Sequence, residues 1–196
     1  MRIDLDILQE WITPSSRVLD LGCGSGTLLA KLTAEKNVTG YGIEIDHDKV
    51  TACLEKRVNV IEQNLDEGLR NFDDQSFDTV VMSQTLQAVR YPHRVLEEML
   101  RVGRECIVSF PNFGHWRCRL HLTLLGRMPL SKTLPYTWYD TPNIHLCTVD
   151  DFEIFCRENN IRIINRRYVS AGRDDDPLSV SWPNMMSEMA IYRLTR

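Results

Sequence analysis

The segment Val18 to Gly26, which reads VLDLGCGSG, constrains the fold of this chain more than any other. An apolar run ends in an acid, glycines follow at every second position, and an amphipathic stretch over Thr27 to Lys36 comes next. This pattern predicts a buried strand that turns tightly into a helix. Glycine suits such a turn because the backbone must bend sharply and also lie against a ligand. We therefore interpret Gly22, Gly24 and Gly26 as a cofactor-binding turn.

The spacing and the charge of this turn indicate which cofactor it holds. The dinucleotide fingerprint is G-x-G-x-x-G, whereas the glycines here run G-x-G-x-G and Thr27 follows. Asp20 lies just before the turn, where its negative charge repels a phosphate and attracts an ammonium or sulfonium group. The turn therefore favours S-adenosylmethionine, or its product S-adenosylhomocysteine, over a dinucleotide. Asp20 and Cys23 are expected to belong to the cofactor site.

A second acid supports the same site. The segment Val38 to Glu44 predicts a second strand, and Glu44 ends it about 20 residues after the glycine turn. At that distance such folds place a carboxylate on the ribose, whose neighbouring hydroxyls suit two acceptor oxygens. We expect Glu44 and the following Ile45 to hold the adenosine. The alternative is a glycine-rich loop and a surface acid that bind no ligand.

The next strand ends supply further candidates. Asn64, Leu65 and Asp66 follow a short third strand, at the place where nucleotide-type folds contact adenine. Asn64 or Asp66 is expected to hydrogen-bond the exocyclic amine, the alternative for each being a turn that only caps a helix. Ser83 follows the apolar strand that begins at Phe77. Because ligands of parallel α/β sheets bind off the carboxyl ends of the strands, these residues are expected to meet at one site.

Five strands that alternate with helices predict a parallel sheet with helices on both faces. A short helix over residues 3–12 precedes them. Two further strands, over Ile161 to Val169 and Glu188 to Leu194, are expected to form an antiparallel hairpin at the sheet edge, with a polar loop between them. The expected fold is α/β and Rossmann-like, with a seven-stranded, mostly parallel sheet and an antiparallel last strand. Residues 1–196 are expected to form a single domain.

Composition excludes several classes of protein. A chain of 196 residues suits one α/β domain, and its net charge of −4 lacks the basic field of a nucleic-acid-binding protein. The six cysteines form no C-x-x-C pair, which argues against zinc and for free thiols in a reducing compartment. The acidic first residues differ from a signal peptide, and no run approaches about 18 apolar residues. We expect a soluble cytoplasmic protein that binds neither nucleic acid nor membranes.

Residues 111–147 interrupt the regular alternation of strands and helices. This segment combines three of the five histidines with many aromatic and basic residues and one acid, Asp140. The pattern over Phe113 to Leu125 is ambiguous, because its residues alternate as in a strand and also fit helical spacing. We interpret it as a helix that ends at Gly126 and Pro129. We interpret residues 111–147 as an inserted lid or partner-binding segment, hereafter the insert. Its histidines are His115, His121 and His145, its aromatic residues are Phe113, Trp116, Tyr136, Trp138 and Tyr139, and its basic residues are Arg117, Arg119, Arg127 and Lys132.

The glycine turn, Glu44 and the strand count resemble the class I methyltransferase fold across most of the chain. Three longer motifs resemble, more narrowly, the MetW family of methionine biosynthesis proteins: SQTLQAV over residues 83–89, SFPNFGHW over 109–116 and YDTPNIHLC over 139–147. The resemblance implies a methyltransferase-like protein that works beside MetX, a homoserine O-acyltransferase that supplies acylated homoserine for methionine synthesis. Whether MetX is an O-acetyltransferase or an O-succinyltransferase stays open. Asn64 departs from the aspartate that methyltransferases often carry there.

Two functions remain open from the sequence. In the first, which the resemblance favours, the protein binds S-adenosylmethionine and contacts the acyltransferase through the insert, activating it or reporting on the cofactor level. In the second, it methylates a small molecule held under the insert, since methyl transfer needs little beyond positioning. For each residue that could orient or deprotonate an acceptor, the alternative is a lid or partner-facing residue without chemistry. These candidates are His115, Tyr136, Tyr139, Asp140 and His145.

Overall fold

The computed structural model describes residues 3–131, 133–170, 173–174 and 176–196. Lys132, one of the basic residues of the insert, lies outside the described residues. The strands are β1 (Arg17–Leu21), β2 (Thr39–Glu44), β3 (Asn59–Glu62), β4 (Phe77–Ser83), β5 (Gly103–Pro111), β6 (Arg162–Ser170), β7 (Arg173–Asp174) and β8 (Met189–Thr195). The helices are α1 (Ile3–Trp11), α2 (Thr27–Lys36), α3 (His47–Glu55), α4 (Pro92–Val102), α5 (Trp116–Leu125), α6 (Val149–Glu158), α7 (Pro177–Ser181) and α8 (Pro183–Met186), with a short 3₁₀ helix at Leu65–Glu67.

The strands of the described chain form one sheet, in the order β3-β2-β1-β4-β5-β8-β6-β7. The first five strands in this order are parallel to their neighbours, whereas β8 is antiparallel to both β5 and β6. The predicted α/β sheet, mostly parallel with an antiparallel last strand, is therefore confirmed. Helices α4 and α6 contribute buried side chains to one hydrophobic cluster, and α1 and α2 contribute to a second. The sheet thus brings the carboxyl ends of β1, β2, β3 and β4 to one edge.

The carboxyl-terminal third differs from the prediction in two respects. β8 lies inside the sheet, between β5 and β6, with Tyr192 opposite both Val108 and Arg166. Its burial explains this position, because Ala190, Ile191 and Tyr192 are each 0% exposed, as in a strand covered on both sides. The predicted polar loop contains β7, α7 and α8, and β7 adds an eighth, two-residue strand beside β6.

Local sequence signals explain where several helices begin and end. Asp46 caps α3 by accepting two backbone N–H groups at 3.0 and 3.4 Å. Thr148 and Asp151 form the capping box that begins α6. Gly126 ends α5 in the left-handed conformation, at φ 61°, so the helix predicted within the insert is confirmed. In the part of the chain that the structure describes, every helix is too short or too polar to cross a membrane.

Arg101 fastens the loop before β4 to helix α4. Its Nε and Nη2 donate to the two oxygens of Glu98 at 2.9 Å each, and its Nη1 donates to Asp74 at 2.7 Å. The same guanidinium donates to the backbone carbonyls of Leu69 and Phe72, at 3.0 and 2.9 Å. The hydrogen bonds from Arg101 lower the pKa of Glu98 from its ordinary value.

Replacing Arg101 with methionine is expected to lower the free energy of unfolding by about 1–3 kcal/mol at neutral pH, because several charged hydrogen bonds are lost. With its lowered pKa, the Glu98 carboxylate stabilises the wild type above the ordinary glutamate pKa of about 4.3. That contribution is lost as the pH falls through the lower pKa of the folded state, so the difference between the two proteins should shrink in acid. Denaturant unfolding at neutral and acid pH measures both effects.

The control for this experiment is Arg104→Met. Arg104 pairs with Asp78 at 3.5 Å, but its side chain is 66% exposed, so the variant should lose less than about 0.5 kcal/mol. Equal losses for Arg101→Met and Arg104→Met, or a difference that does not depend on pH, would contradict the role given to Arg101.

Candidate functional site

A cleft of about 710 Å³ lies at the carboxyl edge of the sheet. The loops after β1, β2, β3 and β4 each contribute to it, which is where a parallel α/β sheet binds its ligands. Most of the residues predicted to bind the cofactor therefore meet in one place. Those that line this cleft are Gly22, Gly24, Glu44, Ile45, Asn64, Leu65 and Ser83.

The glycine turn is bound to β2 and opens toward this cleft. The backbone N–H groups of Gly22 and Cys23 donate to the carbonyl of Ile43, at 2.8 and 3.1 Å. Gly24 has a φ of 56°, and a Cβ added there meets nothing within 4 Å, so that space is left for a ligand. A Cβ at Gly26 would instead lie 2.9 Å from the thiol of Cys53, so Gly26 serves the packing of the turn.

Glu44 organises the turn through backbone hydrogen bonds. Its Oε2 accepts from the N–H of Gly24 at 2.8 Å, and its Oε1 accepts from Ile45 and Asp46 at 2.9 and 3.1 Å. The side chain is buried, with the residue 7% exposed. A carboxylate accepts about four hydrogen bonds, and three are in use, so Oε2 retains capacity for one more donor at the cleft. A ribose hydroxyl is a donor of that kind.

Asp20, Cys23 and Gly26 lie behind the cleft and do not line it. Asp20 is buried at the end of β1, and the thiol of Cys23 lies 3.9 Å from that of Cys53. Burial, with the nearby charge of Asp20, raises the pKa of the Cys23 thiol, which is therefore neutral at pH 7. These three residues therefore support the glycine turn from behind the cleft wall.

Asn64 and Asp66 each make a local backbone contact and also line the cleft, so the structure is compatible with either role considered for them. Asn64 Oδ1 accepts from the N–H of Asp66 at 3.0 Å, which caps the 3₁₀ helix. The Asp66 carboxylate accepts from the N–H groups of Arg90 and Tyr91, at 2.9 and 3.1 Å. The carboxamide nitrogen of Asn64 has no hydrogen-bond partner among the described residues, so Asn64 retains a donor for a ligand.

Asp4 contacts two residues that line the cleft, a role that the sequence did not reveal. It lies on α1, is 1% exposed, and accepts from Ser83 Oγ at 3.1 Å and from Gln84 Nε2 at 3.3 Å. Ser109 Oγ donates to Ser83 Oγ at 3.4 Å and accepts from the N–H of Gln84 at 3.1 Å. This network orients Ser83 at the carboxyl end of β4. An acid in the first turn of a short helix looks like a favourable helix-dipole residue, so nothing in the sequence pointed to the site.

The insert forms part of the cleft wall. Tyr136, half exposed at 48%, lines the cleft together with Asn143. The end of the insert is fastened to the loop after β4, because the carbonyl of Gln87 accepts from the N–H groups of Ile144 and His145 at 2.9 and 3.0 Å. The insert therefore closes one side of the predicted cofactor site.

The other insert candidates lie away from this cleft. His115 is buried, caps α5 by accepting the N–H of Arg117 at 3.4 Å, and lines a second cleft. Burial lowers its pKa, so its imidazole is neutral at pH 7. Tyr139 is 74% exposed, and Asp140 is exposed. His145 lines a third cleft, with Nε2 3.3 Å from the carbonyl of Arg90.

Several solved structures with this architecture are methyltransferases. An S-adenosylmethionine-dependent methyltransferase from Mesorhizobium loti matches with a TM-score of 0.71 at 14% identity, over 99% of this chain and 98% of that one. A SAM-dependent methyltransferase from Archaeoglobus fulgidus matches with a TM-score of 0.68 at 15% identity, over 100% of this chain and 92% of that one. These similarities confirm the predicted methyltransferase fold.

Sequence comparison identifies the family. The bifunctional methionine biosynthesis protein MetXA/MetW of Rhodopirellula baltica is 33% identical over the full chain, which spans 33% of the length of that relative. The phosphatidylethanolamine N-methyltransferase of Cereibacter sphaeroides is 34% identical over 45% of this chain and 46% of its own length. The family model for the methionine biosynthesis protein MetW matches residues 2–194. The chain therefore belongs to the MetW family of methionine biosynthesis proteins.

Proposed function

We propose that this protein binds S-adenosylmethionine or S-adenosylhomocysteine in the cleft at the glycine turn, and that it binds and activates the homoserine O-acyltransferase MetX through its insert. The observation that carries the cofactor proposal is the space above Gly24, beside a buried Glu44 carboxylate that retains an acceptor. The observation that carries the partner proposal is the relative whose name joins MetXA and MetW in one bifunctional protein.

The chemistry of the cleft fits a cationic adenosyl compound. Three buried carboxylates, Asp4, Asp20 and Glu44, lie in or behind the cleft wall and attract the sulfonium and ammonium groups of the cofactor. We assign the ribose to Glu44, the adenine to Asn64, and the amino acid end to Ser83 as oriented by Asp4. When bound, the cofactor would supply an activated methyl group.

The outer surface of the insert suits a protein partner. Trp138 and Tyr139 are 75% and 74% exposed and pack edge to face, with ring centroids 5.6 Å apart. Helix α5 leaves Leu120 and Leu124 exposed on one face, because they are four residues apart. Clustered exposed aromatic and aliphatic side chains are typical of interfaces. The proposed compartment is the cytoplasm, in keeping with the six free cysteines.

Acylation assays with purified MetX test the partner proposal. Purified MetX is assayed for homoserine acylation with and without this protein, and the two are passed together over a sizing column. We expect a stable complex and a higher acylation rate in the mixture. An unchanged rate with no complex, while the protein still binds S-adenosylmethionine, would remove the partner role and leave the cofactor site standing.

Replacing Trp138 and Tyr139 together with serine is expected to weaken binding to MetX by about 10-fold to 1000-fold, the range for aromatic hot spots. Cofactor affinity should not change, because neither side chain lines the cleft. Trp182→Ser is the matched control, since Trp182 is 69% exposed and lies outside the insert. Equal effects of both variants on the complex would contradict the assignment of the interface to the insert.

A second candidate function is methyl transfer to a small molecule. The observation that favours it is a pocket of about 180 Å³ within the insert, which shares Tyr136 and Asn143 with the cofactor cleft. Incubation with methyl-labelled S-adenosylmethionine and a metabolite extract separates the two functions. Label that stays in the cofactor supports the partner role, and label in a new small molecule supports the enzyme.

A further inference from the structure

The third cleft, which His145 lines, has a volume of about 440 Å³ and lies between α4 and α6. We call it the α4–α6 cleft. Its floor is apolar, because Leu86, Phe110 and Phe152 belong to the hydrophobic core and are at most 5% exposed. Phe155 and Leu146 form its sides, and Leu146 is 47% exposed. This recessed apolar surface suits the hydrocarbon part of a small ligand.

The rim of the α4–α6 cleft is basic. Arg90, His93 and His145 line it, against one carboxylate, Asp151. The Asp151 carboxylate is already engaged by the N–H and hydroxyl of Thr148, at 3.3 and 2.6 Å. The guanidinium of Arg90 lies 5.8 Å from the ring centroid of Tyr91, and no carboxylate of the described residues lies within 4.0 Å of it. An anion at this rim would therefore meet an uncompensated guanidinium.

Gln87 adds a polar group to the wall that this cleft shares with the cofactor cleft. The residue is 5% exposed, and its Nε2 donates to the carbonyl of Gln84 at 2.8 Å. Its Oε1 is buried and has no hydrogen-bond partner among the described residues. A buried acceptor without a partner costs free energy, so a ligand that brings a donor to this wall gains by pairing with it.

We propose that the α4–α6 cleft is a second ligand site, distinct from the cofactor cleft, for a small amphipathic hydroxycarboxylate. The hydrocarbon chain packs on Phe110, Phe152 and Phe155, the carboxylate binds Arg90, and the hydroxyl donates to Gln87 Oε1. Each feature of the ligand matches one feature of the cleft: its apolar floor, the Arg90 guanidinium that has no carboxylate partner among the described residues, and the Gln87 acceptor that has no partner among them.

Calorimetric titration of the full chain tests this site. The probe is 2-hydroxyoctanoate, and three comparators each lack one feature: octanoate has no hydroxyl, 2-hydroxypropanoate has no long chain, and octylamine has no carboxylate. We expect saturable binding of the probe and at least about tenfold weaker binding of each comparator. A probe that does not saturate, or a comparator that binds as tightly as the probe, overturns the proposal.

Matched variants locate the binding. Arg90→Gln should weaken binding of the probe about tenfold or more, because a charged hydrogen bond is lost. Arg94→Gln should leave it unchanged, because Arg94 also stacks on Tyr91, at 4.8 Å, but does not line the cleft. Equal affinities of the Arg90→Gln and Arg94→Gln proteins overturn the proposal, whether or not S-adenosylmethionine binds elsewhere.

Discussion

Gly24→Leu is expected to abolish measurable binding of S-adenosylmethionine, with a loss of about 100-fold or more. Gly24 has a φ of 56°, and the space beside it is open to the cleft, so a leucine side chain would occupy the volume assigned to the ligand. The left-handed backbone adds a cost of about 1–2 kcal/mol to folding. The chain should therefore stay folded and lose its ligand, as shown by circular dichroism beside a calorimetric titration.

Gly126→Leu is the control that separates steric block of the cleft from the cost of the left-handed backbone. Gly126 has a φ of 61° and likewise no atom within 4 Å of an added Cβ, but it ends helix α5, away from the cleft. The Gly126→Leu protein should lose a similar amount of its free energy of unfolding and keep full cofactor affinity. If Gly24→Leu binds the cofactor as well as Gly126→Leu does, the ligand does not lie against the turn.

Glu44→Gln is expected to weaken cofactor binding by about 10-fold to 100-fold and to lower the free energy of unfolding by about 1–3 kcal/mol. The carboxylate accepts three backbone N–H groups, and an amide nitrogen in place of either oxygen would face one of these donors without being able to accept. The glycine turn would loosen, and the ribose would lose its charged acceptor. Titration calorimetry and denaturant unfolding measure the two losses on the same samples.

Glu62→Gln is the matched control. Glu62 stands beside Glu44 in the sheet register, but its side chain is 53% exposed and pairs with His47 at 3.2 Å. We expect little change in either quantity. A cofactor affinity that responds equally to both substitutions would mean that the negative charge of the region, and not the Glu44 contact, supports binding.

The parallel half of the fold was predictable because its signals are local. Apolar runs alternate with amphipathic stretches, and residues such as Asp46, Thr148 and Gly126 mark helix ends by side-chain or backbone chemistry. The position of β8 depends on a long-range pairing with β5 on one side and β6 on the other. Periodicity reports which residues are buried, and it carries no information about which strands flank them.

The candidate site likewise contains residues that local sequence patterns predict and residues that only long-range contacts bring to it. Glu44 ends β2, and Gly24 and Asn64 follow β1 and β3, so the topology of the sheet brings them together as predicted. Asp4 reaches Ser83 from a helix 79 positions away in sequence, a contact that no local pattern encodes. His115 and His145 line other clefts, whereas Tyr136 and Asn143 of the same insert line the cofactor cleft. Residue type made them candidates, whereas the path of the chain decided their surroundings.

Titration calorimetry of the wild-type protein with S-adenosylmethionine and with S-adenosylhomocysteine tests the central claim most directly. We expect saturable binding of one adenosyl compound per chain, competition between the two compounds, and no comparable binding of a dinucleotide. Correctly folded protein that gives no saturable heat with either compound, or that prefers a dinucleotide, would contradict it.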